Sequence, residues 1–249
     1  MVALKPATAP FPIHGMEAFA SAPEDCPLRN PALLFGLAEK KDRLAQTDLI
    51  CARASLAEAG RLGRRPRLFL NVHPGSLCQA DFAKSLVEEV SMAGVAPGDV
   101  VLELSERQAA LKLSVLEATL APLRKAGFRI SLDNYGEGMS NLRFLLALRP
   151  DYVKLAGALT RGCDVDPLGR EALRSTREML TRLGMRVILA RIETPSELAT
   201  ALELGFDYGQ GWHFARPMRA EELKGAGAFS GPGQHAADRA SASPFAVPA

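Results

Sequence analysis

Short apolar segments alternate with amphipathic segments along most of the chain, and this alternation limits the possible folds more than any other feature. The apolar segments are rich in Val, Ile, Leu and Phe and have the length of buried β-strands. The segments between them place apolar residues three and four apart, which predicts helices that pack one face on a sheet. Strands and helices in alternation are typical of βα units and of a mainly parallel sheet.

Both kinds of segment can be placed on the sequence. The predicted strands are HGMEAF (14–19), RLFLNV (67–72), VVLELS (100–105), FRISLD (128–133), YVKLA (152–156), MRVILA (185–190) and FDYGQG (206–211). The predicted helices lie near residues 31–60, 79–94, 112–126, 140–148, 167–183 and 195–204. In AGF, LGM and LGF a glycine stands between a helix and the next strand, as at many helix ends. So many βα units within about 200 residues predict an α/β fold closed into a (β/α)8 barrel, and the absence of GxGxxG after the first strand disfavours a Rossmann sheet.

The C-terminal ends of the strands are where barrel enzymes place their chemistry. The residues at or just after these ends are Glu17, Asn71, Glu103, Glu106, Asp133, Asn134, Lys154, the run from Ala190 to Glu193, and Gln210. Carboxylates that converge on one mouth repel one another unless a cation lies among them, and oxygen ligands suit Mg²⁺, Mn²⁺ or Ca²⁺. A single residue of this kind is more often a surface residue, but the series at successive strand ends predicts metal-dependent phosphoryl chemistry.

Other residues with reactive or aromatic side chains have plainer interpretations. We expect His14 and His73 to lie in loops or to pack at the barrel rim, and Trp212 to be a packing residue. The Arg pair in GRRPR (63–67) predicts a solvated turn, because no aromatic residues interleave it as they do in nucleic-acid-binding segments.

Composition narrows the function further. The formal net charge of +2 gives no reason to expect binding to nucleic acid or to an acidic membrane. The four cysteines are far apart and form no CxxC pair, which disfavours a zinc site. Prolines interrupt the N-terminal segment and long apolar runs are absent, so we expect a cytoplasmic protein with reduced thiols. We expect residues 1–218 to form the barrel domain, whereas the Ala, Gly, Ser and Pro of residues 219–249 predict a disordered tail.

In their order, the motifs resemble those of the EAL domain family, bacterial cyclic di-GMP phosphodiesterases and their inactive relatives. GMEAF resembles the segment with the Glu-Ala-Leu that names the family, with Phe19 in place of Leu, and LNVHPGSL and LELSE resemble its Asn-Val-Ser and Leu-Glu-Ile-Thr-Glu segments. LRKAGFRISLDNYGEGMSNL, RPDYVKL and GFDYGQGWHFARPM resemble its Asp-Asp-Phe-Gly loop, the strand of its catalytic lysine and its closing Gln-Gly-Tyr segment. The resemblance covers about residues 2–218 and implies a modified TIM barrel with an antiparallel first strand.

The resemblance also implies a reaction in which two divalent cations and a water cleave one phosphodiester bond. It implies that Mg²⁺ or Mn²⁺ at the first site is held by Glu17, Asn71, Glu103 and Asp133. Lys154 is then a residual catalytic residue, and Gln210 is a ligand-binding position.

Several family positions are substituted. The second cation and the general base are expected to be lost, because Asn134 stands in place of an Asp and Ala190 in place of a Glu. The other departures are Ser21 for a phosphate-binding Arg, Ala156 for an Asp, Arg191 for a Gly and Lys5 for a Gln. Glu106 and Glu193 are kept, and the resemblance implies that they brace the loop from Asp133 to Met139.

These substitutions predict a degenerate EAL domain that regulates by binding, without hydrolysis. Loss of the arginine at Ser21 removes a charge-assisted phosphate contact, so we expect a protein partner ahead of cyclic di-GMP, whose binding would be weak or absent. The sequence does not decide whether the chain forms a homodimer, as many members of the family do. The alternatives are an active phosphodiesterase that yields pGpG with one Mg²⁺ or Mn²⁺ and an altered base and, least favoured, an unrelated barrel enzyme.

Arg191 raises a separate question, because a cation there adds positive charge where a metal is expected to be missing. One hypothesis places its guanidinium over Asp133 or Glu17, in place of the second metal. The other places its side chain outward in solvent.

Overall fold

The computed structural model describes residues 1–4, 11–23, 25–62, 66–106, 113–137 and 142–225. One sheet contains the strands β1 (Val2–Ala3), β2 (Gly15–Ala18), β3 (Arg67–Asn71), β4 (Val100–Ser105), β5 (Arg129–Tyr135), β6 (Tyr152–Leu155), β7 (Arg186–Leu189) and β8 (Tyr208–Gly209). Neighbouring strands from β2 to β8 pair in parallel, whereas β1 pairs antiparallel with β8. The amide of Ala3 also donates to the carbonyl of Pro12 at 2.9 Å, just before β2. The sheet is therefore a nearly closed α/β barrel with an antiparallel first strand, as predicted.

Helices connect the strands. In the described residues they are α1 (Pro31–Lys40), α2 (Leu44–Gly60), α3 (Pro74–Leu77), α4 (Phe82–Met92), α5 (Leu113–Lys125), α6 (Leu142–Leu148), α7 (Gly157–Thr160), α8 (Pro167–Arg182), α9 (Pro195–Glu203) and α10 (Ala220–Gly225). The stretch 31–60, predicted as one helical region, is two helices, because Asp42 between them adopts a positive φ of 52°. Gly127, Gly184 and Gly205 also have positive φ, which confirms the three predicted glycine helix ends.

The segment 219–249, predicted to be a disordered tail, begins with a helix. Helix α10 occupies its first residues, where a disordered segment was predicted, and Ala220 is buried. Residues 226–249 lie outside the described residues, so for them disorder stays a prediction. A search of the described helices for one long and apolar enough to cross a membrane finds none.

A small apolar layer fills the middle of the barrel, apart from the larger core between the sheet and the helices. It consists of the fully buried side chains of Phe69, Val101, Tyr152 and Ile188. Side chains alternate along a strand, so residues two positions before or after these also face the barrel interior. The interior is thus divided into a C-terminal mouth above the layer and an N-terminal mouth below it.

Candidate functional site

A lysine lies among the carboxylates at the C-terminal mouth. Lys154 on β6 places its Nζ 2.9 Å from Oε2 of Glu17 on β2 and 2.8 Å from Oε1 of Glu103 on β4. The same Nζ is 3.5 Å from Oδ1 of Asp133 on β5. These side chains come from different strands, and they meet because each lies on the interior face, on the C-terminal side of the apolar layer. The ammonium of Lys154 therefore lies among the carboxylates, at the mouth where the sequence predicts a divalent metal ion.

Glu17 is the carboxylate that the protein stabilises most strongly in its charged form. Gln210 Nε2 donates to its Oε2 at 2.7 Å, and Asn71 Nδ2 donates to its Oε1 at 3.1 Å. Burial alone would raise the pKa of Glu17, but the Lys154 ammonium and these hydrogen bonds outweigh burial and lower the pKa to about 2. Glu17 is thus ionised at neutral pH.

The charged forms of Glu103 and Asp133 are stabilised less than that of Glu17. Complete burial and the neighbouring charge of Glu17 raise the pKa of Glu103 to about 8, despite the Lys154 ammonium. Burial also raises the pKa of Asp133. Ser131, which sequence reasoning missed, donates from Oγ to Glu103 Oε1 at 3.2 Å. Its signal was its place on the interior face of β5, two residues before Asp133.

The charges of this cluster suit one additional cation. Three carboxylates face one ammonium, so full ionisation leaves surplus negative charge, and the raised pKa values of Glu103 and Asp133 reflect it. Gln210 Oε1 is buried without a hydrogen-bond partner in the described part of the chain. No three His, Cys, Asp or Glu side chains in the described ranges are already arranged as a metal site. Carboxylate and amide oxygens are ligands that divalent cations prefer, but here the carboxylates contact the Lys154 ammonium.

The loop that begins at Asp133, within the last three residues of β5, has a backbone shape that suits its sequence. Asn134 has a positive φ of 58°, a conformation that Asn tolerates better than most residues, and its Nδ2 donates to Asp133 Oδ2 at 2.6 Å. Glu106 Oε2 accepts the amide of Gly136 at 3.2 Å, so Glu106 contacts this loop. Met139, at the far end of the loop, lies outside the described residues.

The opposite half of the mouth carries two alanines. Alternation from Tyr152 and Ile188 puts Ala156 and Ala190 on the interior side, just past the ends of β6 and β7. The carbonyl of Ala190 accepts the Thr160 hydroxyl at 2.6 Å, which fixes the backbone there. Neither methyl group can bind a cation or accept a proton.

Arg191 follows Ala190 with a positive φ of 57°. Its aliphatic chain crosses Gly157 so closely that a Cβ on that glycine would lie 2.1 Å from Arg191 Cδ. The residue is exposed, and no ion pair joins its guanidinium to a carboxylate in the described ranges. Among the described residues Arg191 thus makes no ion pair with Asp133 or Glu17, and its exposure agrees with the outward placement.

Some predicted positions stay apart from the carboxylates. Ser21 is exposed and donates its hydroxyl to the neighbouring carbonyl of Ala22. Glu193 is exposed, and among the described residues its side chain makes no hydrogen bond or ion pair with the loop that it was expected to brace. Lys5 and the Arg pair of GRRPR lie outside the described residues.

The two histidines lie where they were predicted, whereas Trp212 does not. His14 packs against the rings of Tyr152 and Tyr208, and His73 lies in a loop, where its Nδ1 accepts the amide of Gly75. Both placements were predicted. Trp212 was expected to be packed, but its side chain is 47% exposed, because it lies past β8 on the rim.

Comparison with known proteins places this geometry in a family. The family model described as EAL domain matches residues 12–217. The "Probable cyclic di-GMP phosphodiesterase PdeA" of Escherichia coli K12 is 28% identical over 153 residues, which is 61% of this chain and 21% of that protein. The "Uncharacterized protein Rv1357c" of Mycobacterium tuberculosis H37Rv is 30% identical over 158 residues, 62% of this chain and 52% of that protein. The chain therefore spans at most about half the length of these two curated relatives.

Solved structures agree with the fold. Klebsiella pneumoniae BlrP1, in its manganese/cy-diGMP complex, is 26% identical with a TM-score of 0.79, over 88% of this chain and 55% of that one. The Xanthomonas citri FimX EAL domain, in complex with c-diGMP, matches with a TM-score of 0.74 over 82% of each chain, and at 19% identity it supports the fold alone. The barrel, its antiparallel first strand and the match over residues 12–217 together show that this chain belongs to the EAL domain family.

Proposed function

We propose that this chain is a degenerate EAL domain that regulates by binding and does not hydrolyse cyclic di-GMP. The observation that carries the proposal is the asymmetry of the C-terminal mouth. Its carboxylates come from β2, β4 and β5, whereas the interior positions past β6 and β7 are Ala156 and Ala190. Hydrolysis by two cations needs ligands and a base on the second side, and these are absent from both positions.

Asn134 supports the same conclusion. Its neutral amide donates a hydrogen bond to Asp133 and adds no negative charge for a second cation. Removal of a general base costs about 10²–10⁴ in rate, and loss of a metal's charge stabilisation costs several kcal/mol more. The two losses together would leave little turnover.

One divalent cation remains compatible with the site. Glu17, Asn71, Glu103 and Asp133 would hold Mg²⁺ or Mn²⁺, since together they offer carboxylate and amide oxygens. When bound, such a cation would offset phosphate charge on a ligand. The residues themselves would orient that ligand over the mouth, and Lys154 would keep its ammonium on Glu17 and Glu103.

We place a protein partner ahead of the nucleotide as the ligand. Ser21 supplies no charge for a phosphate, whereas the rim exposes aromatic surface: Phe19 past β2 is 58% exposed and Trp212 past β8 is 47% exposed. Arg216 lies 5.0 Å above the Trp212 ring. Aromatic residues and Arg are enriched in protein interfaces. A partner in the cytoplasm, or a second copy of the chain, fits this proposal.

A calorimetric titration separates the two ligands. Purified protein is titrated with cyclic di-GMP, with and without Mg²⁺, alongside the Trp212→Ala variant. The proposal expects no binding at micromolar or tighter affinity under either condition. Micromolar binding would reverse the order and make the domain a nucleotide receptor, and loss of that binding in Trp212→Ala would place the nucleotide at this rim.

An active phosphodiesterase is the second candidate, because the first cation's donor set is complete and carries surplus negative charge. PdeA, named as a probable cyclic di-GMP phosphodiesterase, makes the same substrate the one to test. This candidate requires formation of pGpG that needs Mg²⁺ or Mn²⁺ and disappears in Glu17→Ala.

A further inference from the structure

Three arginines meet at the N-terminal mouth, at the opposite end of the barrel from the carboxylates. Arg67, Arg129 and Arg186 are the first residues of β3, β5 and β7. Arg67 and Arg186 precede the apolar-layer residues Phe69 and Ile188 by two positions, and Arg129 precedes the interior Ser131 by two, so all three face the interior. Alternate strands thus contribute one guanidinium each to the same mouth.

Two of these arginines belong to one chain of hydrogen bonds. Arg186 Nη1 donates to the Tyr152 hydroxyl at 3.2 Å, and that hydroxyl lies 3.0 Å from His14 Nε2. Arg67 Nη1 lies 3.4 Å from the same Nε2. A guanidinium has only donors, so His14 Nε2 must accept, and the Tyr152 hydroxyl donates to it. The imidazole is therefore neutral and does not add to the charge.

The electrostatics agree with this arrangement. Burial lowers the pKa of His14 to about 4, together with the charges of Arg67 and Arg186, then of the Met1 ammonium, and then of Arg129. All three arginines thus act on one imidazole. Among the described residues, no carboxylate pairs with these three guanidinium groups.

Two donors of this cluster are buried and unused. Arg67 Nε and Arg129 Nη1 have no hydrogen-bond partner in the described part of the chain. A buried donor left without a partner costs free energy, and a charged one costs more than a neutral one. Arg186 is exposed, so the mouth is open to solvent on its side. An anion that enters there would meet both the charge and the unused N–H groups.

We infer that the N-terminal mouth is a binding site for a phosphoryl group, held by Arg67, Arg129 and Arg186. Guanidinium groups match phosphate oxygens with paired hydrogen bonds, which explains arginine rather than lysine at all three positions. His14 and Tyr208, with ring centroids 4.1 Å apart, form an aromatic wall beside the cluster. The layer of Phe69, Val101, Tyr152 and Ile188 separates this site from the carboxylate mouth. It is therefore independent of the proposed function.

The test is a calorimetric titration of the full chain with inorganic phosphate, at an ionic strength held constant with chloride. We expect saturable binding that weakens by at least about tenfold in Arg129→Gln and Arg186→Gln, since each loses a charge-assisted hydrogen bond. Arg182→Gln, on the exposed end of α8, is the matched control and keeps wild-type affinity. Arg186→Gln changes an exposed residue and thus keeps the test decisive if Arg129→Gln fails to fold.

A second titrant separates two sources of the phosphoryl group. Phenyl phosphate that binds more tightly than phosphate would indicate a small phosphorylated organic molecule, with its ring against His14 and Tyr208. Equal affinity would indicate free phosphate. Absence of saturable binding by either titrant, or equal affinity in Arg186→Gln and Arg182→Gln, would overturn the inference.

Discussion

Lys154 Nζ lies 2.8 Å from Glu103 Oε1, and both side chains are almost completely buried, at 5% and 0% exposure. The pair lies where the sequence predicts a metal among carboxylates. Because Lys154 also contacts Glu17, one ammonium links acids from two other strands. The mouth is therefore partly neutralised by the chain itself, which makes the fold less dependent on a metal than the sequence suggests.

Lys154→Met should destabilise the protein strongly, because it leaves buried carboxylates without their counter-charge. Breaking a buried ion pair on one side costs about 3–5 kcal/mol, which for a chain of this size lowers Tm by on the order of 10 °C. Thermal unfolding followed by circular dichroism measures the change. Lys84→Met, on the exposed face of α4, is the control and should leave Tm nearly unchanged.

The same variant reports on the cation site. Without the ammonium, the surplus negative charge on Glu17, Glu103 and Asp133 grows, so added Mg²⁺ should raise the Tm of Lys154→Met more than that of the wild type. An equal shift in the two proteins would show that these carboxylates do not hold the added cation.

Stability should depend on pH through Glu103. Folded Glu103 keeps its proton up to about pH 8, whereas in the unfolded chain it loses the proton near 4.5. Between these values the folded state holds more protons, so rising pH weakens folding. Glu103→Gln cannot lose a proton there, so wild-type Tm should fall relative to the variant's between about pH 5 and about pH 8.

Comparison with Glu103→Gln is needed because other groups titrate in the same range. The depressed pKa of His14, about 4, acts in the opposite direction between that value and 6.5. Both proteins contain His14, so its contribution cancels in the difference. A difference in Tm that stays constant across the range would show that Glu103 is not protonated in the folded state.

Arg191 occupies a backbone conformation that suits glycine. Its φ of 57° costs a residue with a Cβ about 1–2 kcal/mol, whereas glycine pays about 0.5–1 kcal/mol of chain entropy. Arg191→Gly should therefore leave stability unchanged or raise it by up to about 1 kcal/mol, as measured by urea unfolding. Arg174→Gly, at an exposed position inside α8, should lower it by about 1 kcal/mol. A loss in Arg191→Gly as large as in this control would contradict the account of Arg191.

Two substitutions at the C-terminal mouth should give the domain phosphodiesterase activity. Asn134→Asp and Ala190→Glu together restore an acidic ligand and a base, worth about 10²–10⁴ in rate for the base alone. We expect this double variant to produce pGpG from cyclic di-GMP with Mn²⁺. The matched control pairs Asn134→Asp with Ala190→Gln, which has a similar size but accepts no proton, and it should stay inactive. Equal activity in the two double variants would show that a general base at position 190 is not what the wild-type domain lacks.

The sequence carried most of the fold because strand and helix periods are local properties. The strand Val100–Ser105 begins and ends where its apolar run does, and Gly127, Gly184 and Gly205 end helices as predicted. The break at Asp42 escaped prediction because a left-handed Asp leaves no mark as clear as a glycine.

The site was predicted less completely. The residues at the strand ends were identified, but the reach of Lys154 across the barrel depends on side-chain packing rather than on spacing. The three arginines at strand starts were not grouped, because only barrel closure brings β3, β5 and β7 to one mouth. Arg191 shows the same limit, since its path over Gly157 depends on a backbone angle absent from the sequence.

The central claim is that this EAL domain does not hydrolyse cyclic di-GMP, and the most direct measurement is its rate of pGpG formation with Mg²⁺ or Mn²⁺. Wild-type protein and Glu17→Ala are assayed side by side by chromatography. The account predicts that wild type forms no more pGpG than Glu17→Ala. Metal-dependent pGpG formation by the wild type that Glu17→Ala lacks would contradict it.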